Sequence, residues 1–324
     1  MKTMGFVKSH KCGEKRRALI PTDFQSIKHR DSLYFEQGYG ESVGFSDEDY
    51  ASLGAHIVSR EECLACDIIT DVKLGDADYL DDIEDGKVLF GWAHAVQSLD
   101  FTSSVIKGSH TVVAWEEIFE DGRYIFYRNR EIAGEAGVLQ AYMYCGKMPY
   151  DTRVAILGNG QTAKGAMRIL HGLGAEVDVY PRRLEKLFRK NMFDYDVLVN
   201  CVMWDTNRTD RIIYREDLSK MKTGTMIVDI SCDPGLEVET TRATTIEDPV
   251  YEVDGVIHYA VDNTPAMYPI TVTKTLSSGI SKYIDIMIEG EYPGNVQEAT
   301  VIRGGRIQDE RIRSFREARG LFCE

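Results

Sequence analysis

The chain has 324 residues, 43% of them hydrophobic and 28% charged, with a formal net charge of −14. That length suits two domains of ordinary size, and the composition is that of a globular chain. An acidic balance of this size excludes general binding to nucleic acid or to an anionic membrane surface, since both require a basic footprint.

In chain order, Thr3 to Val7 reads as a strand, preceded by no apolar signal core, and no apolar run reaches membrane-spanning length. Seven cysteines, an odd number scattered along the chain, suit a reducing compartment, so cytoplasm is expected. The loop from Lys8 to Pro21 carries Arg16, and Thr22 is placed to cap a helix. Ser32 to Glu36 reads as a strand, Gly38-Tyr39-Gly40 as a turn, and Ser46 to Asp49 as an acidic helix start. Cys63 and Cys66 have no second pair to complete a zinc site, and they precede a strand instead of opening a helix after one. They therefore read as buried structural thiols, with no metal expected.

Two strands then carry chemistry at their ends: Asp67 to Val72, followed by Lys73, and Lys87 to Trp92, followed by His94. Thr111 to Ala114 is a further strand. Strands alternating with helices indicate a mostly parallel sheet covered on both faces. Ligands of such sheets sit outside the carboxyl ends of the strands. Arg16, Lys73 and His94 are thus expected on one rim.

Asn129 to Tyr144 reads as a long helix joining two domains. After it comes a strand, Val154 to Leu157, then the turn Gly158-Asn159-Gly160-Gln161-Thr162-Ala163, a helix from Lys164 to Leu173 and a strand from Glu176 to Tyr180. That is the layout of a dinucleotide-binding unit. Gly158 allows the tight turn, Gly160 lets the backbone approach a pyrophosphate, and the helix N-terminus offers N–H groups to the anion. Ala163 stands where only a small residue is needed. NAD-binding units place an acid at the end of the second strand to accept from the ribose 2′-hydroxyl. Here Arg182 and Arg183 follow Tyr180-Pro181, and two guanidinium groups suit a 2′-phosphate, so NADP(H) is the expected cofactor. Asp178, the nearest acid, lies within the strand.

Val197 to Val202, Met226 to Ile230 and Val256 to Val261 read as further strands. Asp233 stands just beyond the second of these, and Asp262 to Pro269 follows the third. Thr271 to Glu289 has helical spacing and is expected to pack on the first domain, and Arg306 to Glu317 reads as a charged helical tail. The expected fold is α/β, with two Rossmann-like doubly wound domains and a cleft between them. Residues 1–133 with 272–324 form the substrate domain and residues 134–271 the NADP-binding domain.

The opening GFVKSHKCGEKRRALIP, Asp71-Val72-Lys73, Ala93-His94, the REIAGEAG helix, the glycine loop, Val228 to Asp233 and DNTPAMYP occur together in this order. In this the chain resembles the superfamily of alanine dehydrogenases, pyridine nucleotide transhydrogenases and lysine-forming saccharopine dehydrogenases. The resemblance implies that Arg16 and Lys73 hold the carboxylate of a 2-oxo acid and that His94 is the general acid/base. Asp233 is implied near the nicotinamide and Asn263 near the substrate, and Lys73 is alternatively an acid–base partner of His94. The arginines after Tyr180 and a shorter C-terminal part than alanine dehydrogenases have depart from plain alanine dehydrogenation. The implied activity is NADPH-dependent condensation of pyruvate with the side-chain amine of ornithine, with lysine as a further candidate, in an enzyme of the opine-synthase type. An alanine or saccharopine-type dehydrogenase, and an NADPH-binding sensor without turnover, are the alternatives. Small-molecule substrates, a 2-oxo acid and an amino acid, and a homo-oligomeric assembly are expected.

Overall fold

The computed structural model describes residues 1–96, 98–204, 208–232 and 235–321. The chain divides into two compact units, Met1–Phe126 with Pro269–Glu324, and Tyr127–Tyr268. The boundaries expected from the sequence, 133/134 and 271/272, would cut the helix Tyr127–Ala141. In the structure that helix goes whole with the second unit.

The first unit is built on six parallel strands: β1 (Met4–Phe6), β2 (Leu33–Glu36), β3 (His56–Val58), β4 (Ile68–Asp71), β5 (Val88–Gly91) and β6 (Thr111–Ala114). Their order is β6-β5-β4-β1-β2-β3. Thr300–Arg303 adds an antiparallel strand beside β6, with Arg306–Ile307 outside it. Arg306 is therefore in a strand, and the tail helix is confined to Glu310–Glu317. Two short helices, α1 (Asp47–Ala51) and α2 (Arg60–Ala65), start at Ser46 and Ser59 with reciprocal capping boxes. A third, α3 (Leu99–Lys107), is capped by Ser98.

Thr22 caps nothing. Pro21–Ser26 is a 3-10 turn whose preceding residue, Ile20, makes no side-chain cap. The turn is held instead by the long helix Pro269–Glu289, whose Ser277 Oγ accepts from the Ile20 N–H at 3.0 Å. Cys63 and Cys66 are buried where α2 lies on β1. A Cβ at Gly5 would fall 2.1 Å from the Cys63 carbonyl oxygen, so this crossing requires glycine. Burial pushes the Cys66 thiol up to about 11 and the Cys63 thiol higher, which leaves both inert as nucleophiles at neutral pH.

The second unit starts with α4 (Tyr127–Ala141). Its sheet comprises β9 (Arg153–Leu157), β10 (Glu176–Tyr180), β11 (Val197–Asn200), β12 (Met226–Asp229), β13 (Val250–Val253) and β14 (Val256–Tyr259), after a small hairpin of β7 (Phe119–Glu120) and β8 (Arg123–Tyr124) in the first unit. The order is β10-β9-β11-β12-β14-β13, parallel except for the edge strand β13. Alternation along β9 sends Val154 and Ile156 into a core shared with Ala163, Ala166 and Leu170 of α5 (Gln161–Gly172). Ala155 and Leu157 point the other way, toward Phe188 of α6 (Glu185–Asn191). Both faces are thus covered, and the strands are buried apolar runs. Helices α4 and α5 cross backbone to backbone: a Cβ on Gly134 would lie 2.0 Å from the Thr162 oxygen, and one on Gly165 1.9 Å from the Glu131 oxygen. Among the described residues no helix is long and apolar enough to cross a membrane.

Candidate functional site

In the first unit β1, β4 and β5 are neighbours and parallel. Their carboxyl ends therefore lie side by side, and the loops leaving them carry Arg16, Lys73 and His94. Two glycines let the loops after β4 and β5 touch. A Cβ on Gly91 would fall 1.9 Å from the Asp71 oxygen and one on Gly75 2.3 Å from the Ala93 oxygen, while the Gly75 N–H donates to Trp92 O at 2.9 Å.

Arg16 is only 1% exposed. Its Nε donates to Glu14 Oε1 at 2.8 Å and a terminal nitrogen to Glu14 Oε2 at 2.5 Å, and its guanidinium lies over the Trp92 ring, 5.1 Å from the centroid. The β1 loop is thereby tied to the β5 loop through a stacked, bidentate cation.

Lys73 is buried, with Nζ 4.0 Å from Asp76 Oδ2. Its backbone N–H donates to Asp71 Oδ1 at 2.9 Å, and Asp71 Oδ2 accepts from Tyr79 OH at 3.2 Å. Asp71 is fully buried, and burial raises its carboxyl from 3.8 to about 6, against the lowering effect of the hydrogen bonds from Lys73 and Tyr79. Asp71 fixes the turn that presents Lys73. Because the folded-state value is the higher one, the folded protein holds the proton more tightly, and this contribution to stability is lost as pH rises from 3.8 to about 6. Asp71→Asn is expected to gain about 2 kcal/mol relative to wild type between pH 4 and pH 7. Urea unfolding at the two pH values measures it, and a pH-independent difference would count against a raised carboxyl.

His94 is exposed and sits at φ 46°, in the left-handed region. Its N–H donates to Glu116 Oε1 at 2.6 Å and the Ala93 N–H to Glu116 Oε2 at 3.2 Å. One half-buried carboxylate thus holds both amides of a strained turn, and desolvation raises its pKa. Glu14 stood inside the recognised pattern two residues before Arg16, and Asp71 two residues before Lys73, a spacing that favours side chain to backbone bonds. Glu116 lies 22 residues from His94, and no local pattern could have found it.

In the second unit the glycine loop joins β9 to α5. Gly158 has φ 98° and its N–H donates to Tyr180 O at 2.9 Å, while a Cβ there would lie 2.7 Å from the Cys201 oxygen. Gly160 precedes the first turn of α5 without a side-chain cap, and a Cβ on it would meet nothing within 4 Å. Asn159 is exposed, Gln161 and Thr162 are half-buried, and Ala163 is fully buried against the sheet. The loop thus offers uncapped N–H groups beside open space, which fits a dinucleotide pyrophosphate.

Arg182 and Arg183 are exposed in a 3-10 turn directly after β10 and Pro181. Asp178 is engaged by Arg153 at 2.9 Å and by Tyr195 OH at 2.7 Å. Behind the loop, buried Asp229 ends β12. It accepts from Asn200 Nδ2 at 2.9 Å, Thr241 Oγ1 at 2.6 Å and the Cys232 N–H at 3.2 Å. This strut, unforeseen from sequence, links the loops after β11 and β12. Asp233 lies outside the described residues. Asn263 is half-buried at φ 62° and heads the turn Thr264–Met267, where Thr264 Oγ1 donates to the Ala133 oxygen of α4 at 3.1 Å. Among the described residues, Arg16, Lys73, His94, the glycine loop, Arg182, Arg183 and Asn263 stand in segments that leave strand carboxyl ends.

Residues 5–125 match the N-terminal domain, and residues 182–312 the C-terminal domain, described as alanine dehydrogenase/PNT. The chain belongs to the alanine dehydrogenase/pyridine nucleotide transhydrogenase family. It is 31% identical over 297 residues to an N(5)-(carboxyethyl)ornithine synthase of Lactococcus lactis subsp. lactis strain IL1403, covering 87% of this chain and 95% of that one. Alanine dehydrogenase 1 of Staphylococcus aureus strain NCTC 8325 is 26% identical over 318 residues, 86% of this chain and 85% of its own. A solved L-alanine dehydrogenase superposes with a TM-score of 0.82 at 22% identity, over 98% of this chain and 99% of that one, and shares the two-domain α/β fold. Family membership makes the chain an NAD(P)-dependent oxidoreductase.

Proposed function

We propose that the protein condenses pyruvate reductively with the side-chain amine of ornithine, with lysine as the second candidate co-substrate, consuming NADPH. The observation that carries this reading is the placement of Arg16, Lys73 and His94 at the carboxyl ends of three adjacent parallel strands. Arg16 is read as recognising the 2-oxo acid carboxylate, with a guanidinium already oriented by Glu14 and Trp92. Lys73 opposes the negative charge that develops on the carbonyl oxygen as the amine attacks. His94 takes the proton from the attacking nitrogen and returns it to the hydroxyl that leaves as water. The C–N bond forms, the C–O bond breaks, and the resulting imine carbon is reduced by the hydride that bound NADPH supplies.

Gly158 to Ala163 are the proposed pyrophosphate cradle, with Asp233 beside the nicotinamide and Asn263 near the substrate. Arg182 and Arg183 are read as the 2′-phosphate site. They stand exposed where an NAD-binding unit places its acid, and Asp178 is already engaged by Arg153 and Tyr195. The ornithine co-substrate is supported by the similarity to the Lactococcus synthase.

An NADPH-oxidation screen of pyruvate and 2-oxoglutarate against ammonia, ornithine and lysine tests the reading, with the product identified by mass. Turnover is expected with pyruvate and ornithine, giving the N5-(1-carboxyethyl) product, and at a higher rate with NADPH than with NADH. Turnover with ammonia alone would make the protein an alanine dehydrogenase. NADPH binding without oxidation under any pair would make it a sensor.

A further inference from the structure

A pocket in the second unit lies at the carboxyl ends of β9 and β10, beside the segment that follows β11. Leu157, Pro181, Arg182, Glu185, Trp204 and Arg208 line it. In a unit of this kind the ribose next to the adenine is held at the end of the second strand, so this pocket is where a 2′-phosphate or a 2′-hydroxyl would lie. Arg182 shares it with a carboxylate that the strand-end reading overlooked, because Glu185 stands five positions beyond Tyr180 and enters through the first turn of α6.

Glu185 is held in fork geometry. Arg208 donates to Glu185 Oε2 at 2.9 Å and Oε1 at 2.8 Å, while its Nε donates to Asp210 Oδ1 at 2.9 Å and its guanidinium lies 4.3 Å from the centroid of the Trp204 ring. Both partners are about one-fifth exposed, so the pair is neither deeply desolvated nor freely screened. Two outcomes compete at one place. A 2′-phosphate is drawn by Arg182 and Arg208 but repelled by Glu185, whereas a 2′-hydroxyl can donate to Glu185, whose two oxygens keep lone pairs beyond the two that Arg208 uses.

We infer that the Glu185–Arg208 pair sets how strongly this protein prefers a 2′-phosphorylated dinucleotide, an inference that rests on the NADP(H) reading. Among the described residues that line the pocket Glu185 is the acid, and Arg208, which also bonds Asp210, pairs with it and so lets a phosphate in. Glu185 limits the preference and leaves a residual capacity for the 2′-hydroxyl form.

The intact protein is titrated with adenosine 2′,5′-bisphosphate and adenosine 5′-monophosphate, which differ only in the 2′-phosphate, and the ratio of the two Kd values is the readout. Wild type is expected to favour the 2′-phosphorylated probe. Glu185→Gln keeps an acceptor for Arg208 and removes the charge, and it should raise the preference by about tenfold, the size of one charged contact. Arg208→Ala should lower the preference by a similar factor. Arg208→Lys, which keeps the charge near the pocket, should retain most of the preference and guards against misfolding of the alanine variant. Ratios unchanged in Glu185→Gln, in a protein where Arg182→Glu abolishes the preference, would overturn the inference and leave the NADP(H) reading standing. A wild-type ratio of one, insensitive to Arg182→Glu, would overturn both.

Discussion

Replacing His94 by alanine is expected to cut turnover about 10²–10⁴-fold, the usual worth of a positioned proton donor and acceptor, while the protein still binds NADPH. The imidazole is carried on the loop after β5, beside the loop that presents Lys73, and it is exposed to an incoming substrate. The turn at φ 46° is held by hydrogen bonds from the Ala93 and His94 N–H groups to the half-buried Glu116 carboxylate. A β-carbon at positive φ is costly, and a residue kept there is one whose direction matters. His94→Asn is the sharper variant, because asparagine tolerates the left-handed region and cannot perform the proton transfer. Steady-state oxidation of NADPH gives the rate and quenching of protein fluorescence gives cofactor binding. Near-normal turnover in His94→Asn would remove this side chain from the chemistry.

Arg16→Ala is expected to cost about 3–5 kcal/mol of stability, the penalty for leaving a buried partner unpaired, in addition to any loss of 2-oxo acid binding. Both Arg16 and Glu14 have side chains almost wholly buried, at 1% and 0% exposure. Without the guanidinium, the Glu14 carboxylate keeps the backbone N–H of residue 16, at 2.9 Å, but loses its buried counter-charge. A single alanine variant therefore confounds folding with recognition. The pair Glu14→Gln with Arg16→Met separates them: removing both charges should restore most of the stability, because an apolar replacement of a buried ion pair is often close to neutral. Use of pyruvate should stay impaired, since methionine offers no donor to a carboxylate. Urea unfolding and the KM for pyruvate are the two readouts. A double variant with normal KM would make Arg16 purely structural.

The parts of the chain that were legible share a physical cause. Val154 to Leu157, Glu176 to Tyr180 and the glycine loop between them are local, since a strand, a turn needing φ above zero and an amphipathic helix each write their own pattern. The strand ends bearing Lys73 and His94 were legible for the same reason. Three features escaped. Thr22 carried a capping signal, but its neighbours pack against Ser277 and Thr273, more than 250 positions away in the chain, and tertiary bonding overrode the local preference. The antiparallel strand Thr300–Arg303 pairs with β6 across nearly 190 residues of chain, and nothing in its four residues names that partner. Glu185 was passed over because it stands beyond the strand end, and only the turn Arg182–Leu184 brings it back beside Arg182.

The sequence by itself determined the parallel α/β architecture, the dinucleotide loop and the identity of the residues at the strand ends. Each of these depends on short-range periodicity and on a few residue types with no chemical substitute. Only the tertiary structure decided which groups hold them: Glu14 on Arg16, Asp71 under Lys73, Glu116 behind His94, Asp229 between two loops, and Arg208 on Glu185. Most of these are carboxylates, and their partners include a group two residues away and an amide 22 residues away. A carboxylate can be satisfied in many ways, and the fold alone selects which.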